Sequence, residues 1–334
     1  MMRCLSAIFV FCIIAFSPAP KKAWHLSGSA QGTTWHITYF SSDSLITFQT
    51  IDSTLQKLDS SLSIYKPYSL ISRFNEASDS LDIDNHLIKV VEASLRTYAA
   101  TGGIFDITVQ PIVQAWGFGT KKVTTLPDSL TIQQLEKCVD SRYLSIRGNT
   151  LYKQLPCVKI DVNGIAQGYS ADVLAGLFEQ QGITDYMIEI GGELRIKGKK
   201  YPGASCMRIG IEAPGENEFQ PAMLQKVIVP NDGAITTSGS YRKFYESDGR
   251  KITHIIDART GFPVQNELIS VTVYAQDATT ADAYDNALMA MGLFNALGFL
   301  EQHPELDAYF IYRKKDGSIT DTATAGFEKF MIAE

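Results

Sequence analysis

From about residue 25 to the C-terminus, no internal repeat, low-complexity tract or polar linker gives this chain a place to divide. A seamless run of that length has to close around one large core, and strand-like and helix-like periods alternate along it. Those two facts predict a single α+β unit and not a string of small domains. Composition agrees: of 334 residues, 45% are hydrophobic and 20% charged, as in an ordinary globular chain. That excludes disorder, collagen, a coiled coil and a polytopic membrane protein. The net charge is −6, and Lys and Arg form no stripe, which excludes a protein that lives on nucleic-acid phosphate.

An address stands ahead of that unit. Arg3 precedes an apolar run from Leu5 to Phe16, and Ser17, Pro18, Ala19, Pro20, Lys21 and Lys22 follow at once. About a dozen apolar residues behind a basic start mark a secretory signal, since a spanning helix wants about twenty. Residues 1–20 are therefore expected to be a signal peptide or a short uncleaved membrane anchor, and the protein to be exported. Cys4 and Cys12 lie in this segment, leaving Cys138, Cys157 and Cys206. None makes a C-x-x-C pair, so neither a zinc knuckle nor a thioredoxin-type site is written here, and three are too few for a disulfide scaffold.

Periodicity places the elements. Thr33–Phe40 reads as a strand, and Ile51, Leu55, Leu58 and Leu62 recur at helical spacing. Leu87, Val90, Val91, Leu95, Tyr98 and Ala99 line one face of a second helix that Gly102-Gly103 closes. Val158–Val162 reads as a buried strand, followed by a helix from Ala166 to Gln181 and a strand from Tyr186 to Ile190. Pro and Gly between residues 200 and 235 suggest strands with long turns. Ser270–Ala275 is another strand, and Ala281 to about His303 a long final helix.

Four polar clusters interrupt these apolar surroundings. Gly102–Asp106 (GGIFD) is either a helix stop or a flexible turn presenting an aromatic ring and a carboxylate. Asp161–Tyr169 (DVNGIAQGY) is a structural turn or a ligand loop, for backbone N–H groups entering a helix favour an anion. It lacks the Lys-Ser/Thr ending of a Walker loop and is not a G-x-G-x-x-G fingerprint. His254–Gly261 (HIIDARTG) holds either a hydrogen-bonded strand histidine or a group suited to proton transfer near neutral pH. In Thr280–Leu288 (TADAYDNAL), Asp282, Asp285 and Asn286 stand at i, i+3 and i+4, on one face of a helix start. They complement the helix dipole, or form an oxygen-only set suited to Mg²⁺ or Ca²⁺.

In order and spacing these clusters resemble the ApbE family, the FAD:protein FMN transferases, over about residues 25 to 300. The resemblance also rests on Gly28–Thr33 (GSAQGT), Ser63–Asn75 (SIYKPYSLISRFN), the extension of GGIFD to Pro111, Ile190–Glu193 (IGGE) and Thr237–Tyr241 (TSGSY). It implies one large unit over residues 25–334, of T-fold-like sheets with packed helices. It implies a Mg²⁺-dependent enzyme on the periplasmic side of the cytoplasmic membrane. Such enzymes pass FMN from FAD to a Thr or Ser hydroxyl of a target protein and release AMP. Family targets are membrane redox-complex subunits and secreted flavoproteins. Carried over residue by residue, the metal ligands are Asp282, Asn286 and the carbonyl of Gly164, with Asp285 a possible fourth. The FAD contacts are Gln31, Tyr65, Ile104, Phe105, Asp106, Asp161, Gln167, Ile255 and Ile256. The family usually has Met at Gln31, Lys or Glu at Gln167 and Thr at Asn286. Asn still offers a carbonyl oxygen to a hard cation, while Gln167 removes a charge near the nucleotide. His254 is the motif histidine that would take the acceptor's proton, and Tyr65 and Phe105 are the rings on which a flavin or adenine would stack. Hydrolysis of FAD to FMN and AMP shares the same site chemistry, and a non-catalytic FAD-binding protein would keep the pocket without turnover.

Overall fold

The computed structural model describes residues 19–212, 224–240, 244–247 and 250–332. Most of the N-terminal segment, with Cys4 and Cys12, lies outside them, as do Pro214, Gly215 and Tyr241. Eight antiparallel strands form the main sheet, and they lie side by side in the order in which the chain makes them. They are β1 (Lys22–Ala30), β2 (Thr33–Ser41), β3 (Tyr186–Ile190), β4 (Glu193–Lys197), β5 (Asp232–Gly239), β6 (Leu268–Ala275), β7 (Asp307–Arg313) and β8 (Ile319–Ala323). The long stretches between them supply the helices. Of these, α1 (Phe48–Leu62), α2 (Asn85–Ala100), α3 (Ala166–Gln180) and α4 (Ala278–Met291) share the core of one sheet face.

The period of two along a strand sorts side chains between two cores. Phe310 joins the helical core, while its neighbours Tyr309 and Ile311 point to the other face, where Ile196, Ile209, Ile228, Ile235 and Phe327 gather. That second layer is the hairpin Ile209–Glu212/Leu224–Ile228 together with the C-terminal turn of helix Ala325–Glu328. A third, smaller cluster joins Ile112, Trp116, Ile132, Ile252 and Ile256. A sheet with both faces covered is what an α+β unit of this size needs.

Most expected elements are present, and three readings are corrected. Val158–Val162 is buried apart from Lys159 but is no sheet strand: it makes one parallel bridge, from Lys159 to Val109. On α2 the buried stripe passes through Ser94 and Thr97, and Ala99 is exposed. Those two hydroxyls are accommodated by donating to the carbonyls of Val90 and Ala93 at 2.7 and 3.2 Å. The segment read as one final helix starts at Ala278 and breaks at Gly292 into α4 and α5 (Leu293–Leu300), and β7 and β8 follow it. Gly292 has φ +75°, which ends a right-handed helix. The groups freed by the break find partners: Asn266 donates to the Met289 carbonyl at 2.9 Å, and Glu267 accepts from Leu293 N–H at 2.8 Å.

The structure also holds a disulfide that the sequence reading did not assign. Cys138 and Cys157 are bonded, with Cα atoms 5.6 Å apart and a sequence separation of 19, and Cys206 is free. Three cysteines make no scaffold, yet one bridge ties the chain after the helix Ser129–Glu136 to the segment that runs into Asp161. Closing a loop of this length removes freedom from the unfolded chain and is worth about 3 kcal/mol. Reductant should lower the denaturant midpoint accordingly in an equilibrium unfolding measurement; an unchanged midpoint would show that the bridge constrains little.

Candidate active site

The start of α3 and the start of α4 are built against each other. Gly168 and Asp172 stand four residues apart on α3, so they share a face, and that face meets α4. At Gly168 the approach is backbone to backbone: an added Cβ would stand 2.1 Å from the Ala278 carbonyl oxygen and 2.7 Å from the Asp282 Cβ. The same closeness lets the Gly168 N–H donate to Asp282 Oδ2 at 2.8 Å. One turn on, Asp172 accepts from the N–H groups of Ala278 and Thr279 at 2.9 and 2.8 Å and from the Thr279 hydroxyl at 2.5 Å. Gly168→Ala should therefore push the helices apart at a cost of about 1–3 kcal/mol or more, as overpacking does. A thermal melt checks this, and an unaltered midpoint would mean that the contact has room.

Asp282 and Asp285 are 3% and 1% exposed. Burial pushes the Asp282 carboxyl up to about 7, opposed by the Gly168 N–H and reinforced by the charge of Asp172. Burial also holds Asp285 well above the carboxylate range, with repulsion from Asp282 and then Glu193 adding to it. Glu193 is itself buried, at the first position of β4. Asn286 completes the set: its Nδ2 donates to the Asp282 carbonyl and to Asp285 Oδ1, both at 2.9 Å, and its Oδ1 accepts from Ser238 on β5 at 3.3 Å. Gly164 lies directly across, since a Cβ built there would be 3.4 Å from Asn286 Nδ2 and 3.6 Å from the Phe105 ring. All four sequence-predicted metal ligands thus lie in one neighbourhood.

This neighbourhood fits a hard divalent cation. Its donors are all oxygens, and a divalent cation would stabilise the ionised forms of two buried carboxyls that burial and mutual repulsion otherwise disfavour. Among the described residues no three His, Cys, Asp or Glu side chains converge as a ready-made metal site. Besides Asp282 and Asp285, a cation here would therefore draw on the Asn286 amide oxygen, the Gly164 carbonyl and oxygens from its own ligand or water.

Around this centre stand the residues read as nucleotide contacts. Tyr65 is 59% exposed and lies beside Asp161 and Asn163; burial of its hydroxyl and the Asp161 charge raise its pKa. Gln167 packs against the glycine turn after β3, where a Cβ on Gly191 would be 2.8 Å from its Nε2. Gln31 and Gly32 form the two-residue hairpin between β1 and β2, both with positive φ, 54° and 75°, as a tight hairpin of this twist requires. From there Gln31 Nε2 donates to Ser170 on α3 at 2.7 Å, and its Oε1 is buried without a hydrogen-bond partner.

The ApbE family model matches residues 31–310. The chain belongs to the ApbE family. A FAD:protein FMN transferase of Vibrio cholerae is 35% identical over 338 residues, 99% of each chain. One of Escherichia coli K12 is 34% identical over 340 residues, covering 98% of this chain and 95% of its own. Among solved structures, the flavin transferase ApbE from Vibrio cholerae has a TM-score of 0.83 at 34% identity, covering 93% of this chain and 100% of that one. The apo flavinyl transferase ApbE of Pseudomonas stutzeri has a TM-score of 0.84 at 30% identity, covering 94% and 98%.

In this ApbE-family chain the other expected residues are spread more widely. Phe105 is buried, with its ring edge toward Gly164. Both Asp106 carboxylate oxygens are engaged within the protein: Oδ1 accepts from Thr108 N–H and from the Thr108 and Ser141 hydroxyls at 2.7, 2.6 and 2.7 Å, and Oδ2 from Ser141 N–H at 3.0 Å. Burial raises the Asp106 pKa against those bonds. Ile104 lines a hollow of about 370 Å³ with Thr101, Arg259, Met291, Asn295 and Phe299, so GGIFD and HIIDARTG meet there. Ile255 lines a cleft of about 540 Å³ with Ser240, Thr253, Asn266, Leu268 and Met289, while Ile256 packs with Trp116 and Ile132. His254, between Thr253 and Ile255, is half-buried, edge-on to Phe118 at 6.3 Å between centroids. Sequence reasoning quoted IGGE and TSGSY but gave Glu193 and Ser238 no role, and it passed over Gly168 and Asp172. Their i, i+4 spacing on a helix that begins with a glycine turn was the available signal.

Proposed function

We propose that this protein transfers the FMN moiety of FAD to a Thr or Ser hydroxyl of an acceptor protein, with Mg²⁺ at the diphosphate and AMP as leaving group. The observation that carries this is the buried oxygen neighbourhood of Asp282, Asp285, Asn286 and Gly164, in a chain whose relatives are FAD:protein FMN transferases. Mg²⁺ bound there would neutralise charge on the diphosphate and favour departure of AMP. Asp282 and Asp285 would hold it, fixed in place by the Gly168 N–H and by Asn286. Tyr65, largely exposed, offers a ring for stacking, Gln167 packs on the glycine turn after β3, and Gln31 reaches Ser170 on α3. As the acceptor oxygen bonds to the FMN phosphorus, the bond to the AMP oxygen breaks, and His254 takes the hydroxyl proton. The exported location expected from residues 1–20 remains part of this reading, supported by a disulfide of the kind found in oxidising compartments. Among the described residues no helix is long and apolar enough to cross a membrane. The acceptor would be a membrane redox-complex subunit or a secreted flavoprotein.

Incubation with FAD, Mg²⁺ and a candidate acceptor, followed by mass spectrometry of protein and nucleotide, tests the reaction. A gain of one FMN on the acceptor with release of AMP is expected. Free FMN alone would mean hydrolysis, and unchanged FAD would mean binding without turnover. FAD should also bind more tightly than FMN, because the site addresses a diphosphate as well as a ring. Equal affinities in a titration would count against it.

A further inference from the structure

We propose that Asp172 is a positioning residue for the cation site, holding the first turn of α4 so that Asp282 meets its ligand in one fixed place. The inference rests on reading Asp282 as a metal ligand. Asp172 lies on α3 and touches none of the reacting groups in that reading. Its two carboxylate oxygens instead take three bonds from Ala278 and Thr279, three to four residues before Asp282. Its own orientation is set from a third element. Arg195 on β4 places its Nε 3.7 Å from Asp172 Oδ1, while its Nη1 donates to Asp232 Oδ1 and the Gly233 carbonyl, both at 2.8 Å, on β5. The same strand β5 carries Ser238, which reaches Asn286. Asp172 is thus where α3, α4 and two sheet strands are pinned together beside the oxygen neighbourhood. The helix does not need it merely to begin: Asp277 already caps α4 locally, accepting from Thr280 N–H at 2.8 Å and from its hydroxyl at 3.0 Å. What Asp172 adds is the placement of α4 relative to α3. Groups that orient metal ligands without touching the ion are typically worth about ten- to a hundredfold in metal affinity.

The test is Mn²⁺ binding, followed by its paramagnetic resonance signal with ADP present to supply a diphosphate, alongside the thermal midpoint of each protein. The parent should bind, and Asp282→Ala should not. Asp172→Ala should weaken binding about ten- to a hundredfold. Asp172→Asn, which keeps one accepting oxygen, should fall between and carries the test if the alanine variant does not fold. Asp277→Ala should lower the midpoint while leaving Mn²⁺ affinity at the parent value. Parent-like affinity in Asp172→Asn and Asp172→Ala overturns the proposal and leaves the cation site standing. So does equal weakening by Asp277→Ala, which would make the effect a general loss of helix stability. A parent that binds no Mn²⁺, or an Asp282→Ala variant that binds it normally, removes the cation-site reading and this proposal with it.

Discussion

Asp282→Ala should yield a folded protein whose cation-dependent FMN transfer is lower by about three orders of magnitude or more. A cation that polarises a phosphoryl group supplies several kcal/mol at the transition state, and each 1.36 kcal/mol is tenfold in rate. The sequence alone places this residue at a helix end and suggests that its removal is harmless to the fold. The structure changes the argument but not the expectation. Asp282 is 3% exposed, and its loss leaves the Gly168 N–H without its acceptor, a cost of about 1–3 kcal/mol for a buried donor. Against that, the substitution removes a buried charge held beside Asp285 and Asp172, which relieves desolvation and repulsion. The two effects oppose each other, so the thermal midpoint should move far less than the rate. Rate measurements across a Mg²⁺ titration, with the melt on the same preparation, decide the matter. Full activity in the variant would take Asp282 out of the site.

His254→Ala should slow single-turnover transfer to a protein hydroxyl by about two to four orders of magnitude, the usual worth of a positioned general base. FAD affinity should persist, because ring stacking and phosphate contacts do not need the imidazole. The structure also gives the competing role a concrete form. The ring lies edge-on to Phe118, which packs in turn on Tyr245, whose hydroxyl donates to the Trp116 carbonyl at 2.7 Å. If His254 serves only that cluster, its removal should lower the thermal midpoint, the FAD affinity and the rate together. A variant that binds FAD normally and still transfers FMN at the parent rate would end the general-base assignment. Asp257 would be a poor replacement as base, since both its oxygens are engaged by the Arg259 guanidinium at 3.0 and 2.8 Å.

What the sequence by itself determined is local and periodic. The 3.6 period of Ile51, Leu55, Leu58 and Leu62 and the aromatic and β-branched residues of Thr33–Phe40 are local features, so both elements were legible. The spacing of Asp282, Asp285 and Asn286 likewise guarantees a shared helix face before any tertiary contact forms. Other features were decided only when distant segments met. Helix propensity runs through Leu288, Met289 and Met291 and on into Leu293, yet the helix breaks at Gly292, where Asn266 and Glu267 satisfy the freed backbone groups. Val158–Val162 has a strand's composition but finds one bridge instead of a sheet edge. Cys138 and Cys157 are paired by a fold that brings them to 5.6 Å, which their spacing could not announce. The clamp between α3 and α4 is the clearest case. Gly168 and Asp172 are separated from Asp282 and Ala278 by more than a hundred residues, and an i, i+4 pair names a face without naming what the face will touch. That choice belongs to close packing, which selects the one helix whose backbone a glycine lets within hydrogen-bonding distance.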